Sequence, residues 1–338
     1  MLALGVSLSP WRRDSPLILL GFGPALEIET FGEFPGHTPV LPCAVCGLLA
    51  VREGETVVDA TVGLAGHARL LAERLGATGT LVGLDVDPAN LESARQVLAE
   101  GRLACRIELV HANFAELPEV LGTLGLLQVD AILADLGISS PQLDEPLRGF
   151  SFQREGPLDM RMDPRLTVTA ADLVNRLREQ ELGDLLYFNA QETGGRRIAR
   201  RICEARRNSR ITTTTRLAEI VASAVGVDPE SRKSKIHPAS RTFLALRISV
   251  NEEIKNLEAL LEAAPRLLKP GGRFGVIAFH SVEDKPVKLD FRKRKGEGIY
   301  QILTKKPVVA SDDERRSNPR SRSAKLRAAM RTTDQGGF

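Results

Sequence analysis

The order of apolar and polar positions divides this 338-residue chain into an alternating part and a helical part. "TVVDA" (Thr56–Ala60) reads as a short β-branched strand. "TVGLAGHARLLAERLG" then turns through Gly63 and Gly66 into a helix that ends at Gly76. "TLVGLDVDP" is a second strand closing on Asp85 and Asp87. Pro88 opens the next helix in its first turn, where a missing N–H does no harm. "CRIELVHANF" and "VDAILADLG" read as a third and a fourth strand. Strands alternating with helices of this length predict an α/β fold with a doubly wound parallel sheet.

The alternation then stops. From Pro141 to about Ala239, "TAADLVNRL", "EQELGDLLYF", "ETGGRRIARRICEAR" and "TTRLAEIVASAV" read as short helices. Beyond them Ile254, Leu257, Leu260, Leu261 and Leu268 form the apolar stripe of a further helix. "GGRFGVIAF" resumes the sheet, and "YQILTKKPVV" is expected as a last strand near its edge. The expected organisation is a Rossmann-like domain in two pieces, 37–140 and 240–338, with a helical domain inserted at 141–239. Residues 1–36 read as an extension outside that fold. Their apolar run is broken by Pro16, Gly21, Gly23 and Pro24, so it cannot span a bilayer, and no clear cleavage site follows it. No membrane partner is expected.

Composition adds little beyond a sizeable core, but the placement of charge changes the picture. The net charge is only +3, yet "RRIARRICEARRNSRITTTTR" (Arg196–Arg216), "DKPVKLDFRKRKG" and "RRSNPRSRSAKLRAAMR" concentrate positive side chains. Such blocks suit a phosphate backbone, and they equally suit a solvated helix face and an unstructured tail. Aromatic content of 4% argues against an RNA binder built on a sheet of stacking rings. Of four cysteines, Cys43 and Cys46 form a CxxC with no second pair at zinc-finger spacing. Two small helix-facing thiols are expected, with no metal site, in a chain suited to a reducing cytoplasm.

The chemistry gathers at the strand ends. Strand, glycine turn, helix, strand, acid is the order that binds a nucleoside-containing cofactor. "DATVGLAGHA" is not GxGxxG, and a pyrophosphate needs closer backbone approach than it offers, which counts against a nicotinamide dehydrogenase. Asp85 is placed to accept from two ribose hydroxyls, Asp59 to take an ammonium, and Phe114 to wall an adenine. A ribose and an amino-acid ammonium without a diphosphate describe S-adenosylmethionine. Taken singly, the acids read equally well as helix caps and the ring as core. "DAILADLGISSPQLDEPLRGF" poses the same question once more: a buried strand ends in Asp135 and turns at once into a small polar loop, as strand ends facing a ligand crevice do.

"HTPVL", "DATVGLAGHA", "GLDVDP", "DLGISSPQLDEPLRGFSFQREGPLDMRMDP", "HPASRTFLALRISVNEE", "GGRFGVIAFHSVEDKPVK" and "NPRSRSAKLR" occur in this order. Together they resemble the RsmH (MraW) family of bacterial small-subunit ribosomal RNA methyltransferases, from about His37 to Arg331. The resemblance implies methylation of N4 of a cytidine in the decoding region of 16S rRNA, with S-adenosylmethionine, on a Rossmann-like domain bearing a helical insertion. It implies cofactor contacts at Ala65, Gly66, His67, Asp85, Phe114, Asp135 and Gln142. The family usually has glycine where Leu64 and Ala65 stand, and acidic residues at Pro42, Cys43 and Ala44. Its "EDR" is "EDK" here at Lys285, and Pro286 replaces an aliphatic residue; a bidentate arginine contact would not survive as lysine.

Cytosine N4 is a poor nucleophile because its lone pair is delocalised into the ring. Asp135 is the natural acceptor for the amino group, or else a carboxylate that touches only the cofactor. Ser139 and Ser140 can hold the base edge. The loop lacks an aromatic, so stacking is expected from Phe150, Phe152 or Phe279. On the RNA side Arg197, Arg200 and Arg201 are expected to meet phosphates, with Arg161 and His280 as further candidates. Arg161 reads equally as a loop tie between Asp159 and Asp163, and His280 as a structural histidine. The expected partner is 16S rRNA in the small subunit or a late assembly intermediate, and a homodimer is left open. The rival reading is an inactive RNA-binding assembly factor on the same fold.

Overall fold

The computed structural model describes residues 38–226 and 237–333, which belong to one compact unit. The extension expected over 1–36 lies outside the described residues. Eight strands form one sheet: β1 (Thr56–Asp59), β2 (Thr80–Asp85), β3 (Arg106–His111), β4 (Val129–Asp135), β5 (Leu268–Ala278), β6 (Tyr300–Ile302), β7 (Val308–Val309) and β8 (Lys325–Arg331). Their order is β3-β2-β1-β4-β5-β8-β6, with β7 also on β8. β1 to β5 pair in parallel, and β8 runs antiparallel to β5, β6 and β7. From β1 the chain steps outward to β2 and β3, then returns to place β4 on β1's other side. That reversal opens a crevice at the carboxyl ends of β1 and β4.

The inner strands β1, β2 and β4 carry near-continuous apolar runs because helices cover both faces. On one face α1 (Pro42–Leu49), α2 (Gly66–Leu75) and α3 (Pro88–Glu100) bury Leu49, Leu71, Leu75 and Leu91. On the other, α4 (Leu117–Thr123), α11 (Glu253–Leu267) and α12 (Ser281–Gly296) bury Leu121, Leu257, Leu260 and Phe291. The expected stripe lies on α11, except that Leu268 already begins β5.

Between β4 and α11 lie α5 (Ser140–Asp144), α6 (Ala170–Arg176), α7 (Glu179–Ala190), α8 (Gly195–Ala205), α9 (Thr214–Val225) and α10 (Ser240–Val250). Leu182, Leu186, Ile198, Ile202, Leu217 and Val221 give this layer its own core. Phe243, Leu246 and Val250 of α10 join it, so the helical core runs on past Ala239. α8 divides cleanly: Ile198, Ala199 and Ile202 face inward while its four arginines face out.

The C-terminal segment departs from expectation. "YQILTKKPVV" holds two short strands, and the strand that completes the sheet is β8, inside the basic tail. Leu326, Ala328 and Ala329 are buried there. Arg327 is absorbed by Asp284 of α12, with Nε 2.6 Å and Nη2 3.0 Å from its two carboxylate oxygens. A short helix, α13 (Asp312–Ser317), precedes it. Part of the positive charge in this block is therefore structural. Among the described residues no helix is long and apolar enough to cross a membrane.

Candidate active site

A cavity of about 770 Å³ opens where β1 and β4 diverge, between the sheet and the helical layer. Its sheet side comprises Ala60 to Leu64, Asp85, Phe114 and Asp135 to Ser140; Met162, Asp163, Arg247 and Asn251 close the other.

The glycine loop is held open by backbone geometry. Gly63 has φ 49° and Ala65 φ 63°, both in the left-handed region. An alanine there costs about 1 kcal/mol more than glycine. Ala65 begins α2 with no side-chain cap, and the first turn of α2 lines the cavity. Uncapped N–H groups at a helix start favour an anionic ligand group such as a carboxylate. Asp85 fixes the loop from below. One carboxylate oxygen accepts from Gly63 N at 2.9 Å, the other from Asp87 N at 2.8 Å, and Asn90 reaches both at 3.3 Å. Burial pushes its carboxyl up, and these hydrogen bonds restrain the rise.

Asp59 is differently placed than expected. It is buried behind Ala60 and Thr61 and forms no part of the cavity wall. Burial, with the Asp85 charge adding to it, pushes its carboxyl up to about 7, although Thr61 N–H donates to it. Asp135 closes β4 in the wall itself. Its N–H donates to Thr61 Oγ1 at 2.7 Å, and Oδ2 lies 3.5 Å from His67 Nδ1. Its Oδ1 is buried with no hydrogen-bond partner among the described residues. Burial, then the charges of Asp59 and Glu283, push this carboxyl well above the usual range. An orphaned acceptor of this kind calls for a donor or a cation from a ligand.

The polar loop after β4 is largely occupied with itself. Gln142 accepts from Ser139 N at 3.0 Å and donates to Asp87 at 2.8 Å; Ser139 Oγ donates to Asn90 at 3.0 Å. These side chains lock the loop to the start of α3. Ser140 also lines the cavity, and its hydroxyl makes no side-chain hydrogen bond among the described residues. Of the stacking candidates only Phe279 lines the wall, as Phe114 does on the cofactor side. Phe150 and Phe152 belong to the helical core, where the Phe152 ring centroid lies 4.9 Å from that of Phe243.

Two expected RNA contacts lie outside the wall. Arg161 directs Nε and Nη2 to Asp159 at 2.8 and 2.7 Å and Nη1 to the Leu166 carbonyl, so its guanidinium is a loop tie. His280 caps α12, with Nε2 3.0 Å from Glu283 Oε1 but without the angle of a hydrogen bond. Arg197, Arg200 and Arg201 are exposed on α8, where Arg200 lies 3.6 Å from Glu179 and Arg201 2.9 Å from Glu204. Arg196 and Arg197 have no ion pair among the described residues.

Sequence reasoning missed several residues. Arg148 reaches Asp87 at 2.5 Å and the carbonyls of Arg161 and Met162. Asn251 clamps the same loop through Met160 O and Met162 N at 2.8 and 2.7 Å. Gly149, at φ 73°, passes so close to the Pro157 carbonyl that any side chain would collide. Arg247 grips Glu253 through two 2.8 Å bonds, with Glu283 3.9 Å away. Burial would raise Glu283, but His280, Arg247 and the Phe279 N–H outweigh it and hold it low. Among the described residues Glu253, His280 and Glu283 are the only set of possible metal ligands within reach of one ion, and Arg247 already pairs with Glu253 and lies 3.9 Å from Glu283. Exposed Cys43 and buried Cys46 lie on α1. On α7, Tyr187 and Phe188 are 54% and 69% exposed beside Gly195, and their only signal was two adjacent aromatics in an aromatic-poor chain.

The MraW methylase family matches residues 35–332. The chain belongs to the MraW methylase family. This methylase is 47% identical over 295 residues to the ribosomal RNA small subunit methyltransferase H of Acidobacterium capsulatum, covering 87% of this chain and 97% of that protein. It is 48% identical over 300 residues to the protein of that name from Koribacter versatilis, covering 87% and 94%. With that of Sorangium cellulosum it shares 48% identity over 295 residues, covering 87% and 90%. The cavity fits S-adenosylmethionine, the cofactor of this Rossmann-like methyltransferase fold, in the chemistry of its lining: an uncapped helix start, the Asp85 carboxylate, the Phe114 ring and the orphaned Asp135 acceptor.

Proposed function

We propose that this chain methylates N4 of one cytidine in the decoding region of 16S ribosomal RNA. The observation that carries the reading is the unpartnered Asp135 oxygen at the switch point of the sheet, in the wall of a cavity of about 770 Å³. Bound there, S-adenosylmethionine supplies a methyl group on a sulfonium sulfur, which departs as a neutral thioether when the N4 lone pair takes the methyl carbon. Asp135 accepts a hydrogen bond from the N4 amino group, draws its lone pair out of the ring and receives the proton that N4 gives up. Ser140 stands beside the base edge, and Phe279 is the ring placed to stack on it.

The sheet and the helices on its faces hold the cofactor and do the chemistry, and the helical layer from α5 to α10 forms the RNA side. A base in folded RNA must leave its stack to reach so recessed a carboxylate. The α8 arginines then meet phosphates, which adds affinity without sequence preference. Arg196 and Arg197, with no acidic partner among the described residues, contribute more than Arg200 and Arg201. The names of the curated relatives support small-subunit rRNA as substrate, met in the cytoplasm within the subunit or a late assembly intermediate; a homodimer fits the same reading.

Calorimetry with S-adenosylmethionine and with NAD, followed by transfer of labelled methyl to purified small subunits and to free 16S rRNA, tests it. Binding of S-adenosylmethionine alone, with label in RNA, is expected. NAD binding, or cofactor binding with no transfer to either RNA, would sink it.

A further inference from the structure

We propose that His67 carries a proton on Nδ1 and thereby keeps Asp135 ionised as the acceptor for the substrate amino group. This rests on the function proposed above and assigns the histidine a role beyond lining the cofactor site.

The geometry is directional. His67 is buried at the start of α2, and its Nε2 lies 2.8 Å from the Val40 carbonyl oxygen. A carbonyl only accepts, so Nε2 bears a hydrogen. The other ring nitrogen, Nδ1, then meets Asp135 Oδ2 at 3.5 Å. If His67 were neutral, Nδ1 would bear a lone pair facing carboxylate lone pairs. A proton therefore belongs between the two groups, and it can reside on either.

The surrounding charges decide where. Asp59 and Glu283 face Asp135, and Asp85 stands behind Asp59. Glu314 reaches the loop beside Val40 by accepting from Leu41 N, and its charge acts on the Cys43 thiol. Of the arginines on the cavity wall, Arg247 is held by Glu253 and Glu283, Arg165 by Glu116 and Asp163, and Arg320 lies 3.5 Å from Asp144. On α2 itself Arg69 pairs with Glu73. The local balance is acidic. An imidazolium is favoured in such surroundings, and a lone buried carboxylate is not. With the proton on His67, Asp135 stays an anion, so its Oδ1 remains available to the substrate. At transfer one N4 proton passes to Asp135, its bonding pair stays on nitrogen, and the proton leaves to water when product departs.

His67→Gln separates this from a structural role, because a glutamine amide can still donate to the Val40 carbonyl while Nδ1 is lost. Because His67 also lines the cofactor site, the variant is assayed at saturating S-adenosylmethionine, and the shape of its single-turnover pH profile, not its plateau, is the readout. Its acidic limb should move up by about one pH unit, leaving the rate about tenfold lower below it. A purely structural histidine would instead lower the rate by the same factor at every pH and leave the acidic limb where it is. Nitrogen-15 imidazole spectra of the ligand-free wild-type protein, with His67 assigned from the variant, give a readout without turnover. Both ring nitrogens protonated at neutral pH is the expected result. A bare Nδ1 at neutral pH, or an unmoved acidic limb in the variant, would overturn the proposal. Failure of the wild type to methylate cytidine would count against the function, while the spectra would still judge the proton's position.

Discussion

At the ends of β1, β2 and β4 three carboxylates crowd one end of the sheet, Asp59 behind the crevice and Asp85 and Asp135 in its wall; along α8 four arginines project into solvent. Both regions gather charge of one sign, and they manage it differently. The arginines are separated by water, and two have acidic neighbours, so each contributes little to stability. The carboxylates repel one another in a poorly solvated space. They persist through backbone N–H bonds for Asp85, a raised proton affinity for Asp59, and an unpaired oxygen for Asp135. The lesson is that only the crevice stores unfavourable charge, and stored charge of that kind marks the place where a ligand does chemistry.

The comparison breaks most sharply at Asp135. Asp135→Asn should lower single-turnover methyl transfer about 100-fold or more while RNA binding persists, as expected when a positioned proton acceptor is lost. Wild-type turnover in that variant would remove the crevice from the chemistry. Next in size is Asp85. Asp85→Ala removes the ribose acceptor and the tie to Gly63, so calorimetry should show cofactor affinity weaker by about 2–4 kcal/mol. Unchanged affinity in a folded variant would mean the ribose lies elsewhere.

Asp59 sharpens the account through stability. A carboxyl whose proton affinity is raised by folding stabilises the native state fully only below its unfolded value, about 4. That contribution is lost as pH rises from there to about 7. Denaturant titrations should show stability falling across that window, and Asp59→Asn should flatten the fall by at most about 4 kcal/mol. An identical slope in the variant would mean Asp59 is ionised throughout.

The helical side predicts smaller effects. Arg196→Ala with Arg197→Ala should weaken RNA binding about tenfold and reduce the salt slope by about 2. The matched change of Arg200 and Arg201 should do less, with cofactor affinity unmoved in both. Equal effects from the two pairs would show that acidic neighbours do not matter on this face. Smallest of all, Cys43→Ser with Cys46→Ser should leave methyl transfer near wild type.

What was legible in the sequence follows from how local each signal is. β1, β2 and β4 and their terminal acids were readable because a buried parallel strand is a near-continuous apolar run ended by an abrupt polar residue. β8 was not, since "KLRAAMR" becomes a core strand only once Asp284 absorbs Arg327. α10 was missed because "SRTFLALRISV" is apolar on several sides, as a helix between two layers must be. The long stretch from Leu136 to Pro164 identified the family at once, yet its physical purpose was hidden. Arg148, Gly149 and Asn251 hold a crossed loop by contacts that span up to 91 residues. Phe150 and Phe152 were taken for stacking rings because nothing local distinguishes a core phenylalanine from one in a wall.

The most direct test is the chemical identity and position of the transferred methyl group. Small subunits lacking the modification would be incubated with the protein and labelled S-adenosylmethionine, and the 16S rRNA digested and resolved by nucleoside mass spectrometry. A single labelled N4-methylcytidine in the decoding region is the result the account predicts. Label on a ring carbon, on a ribose oxygen or on another base would contradict it.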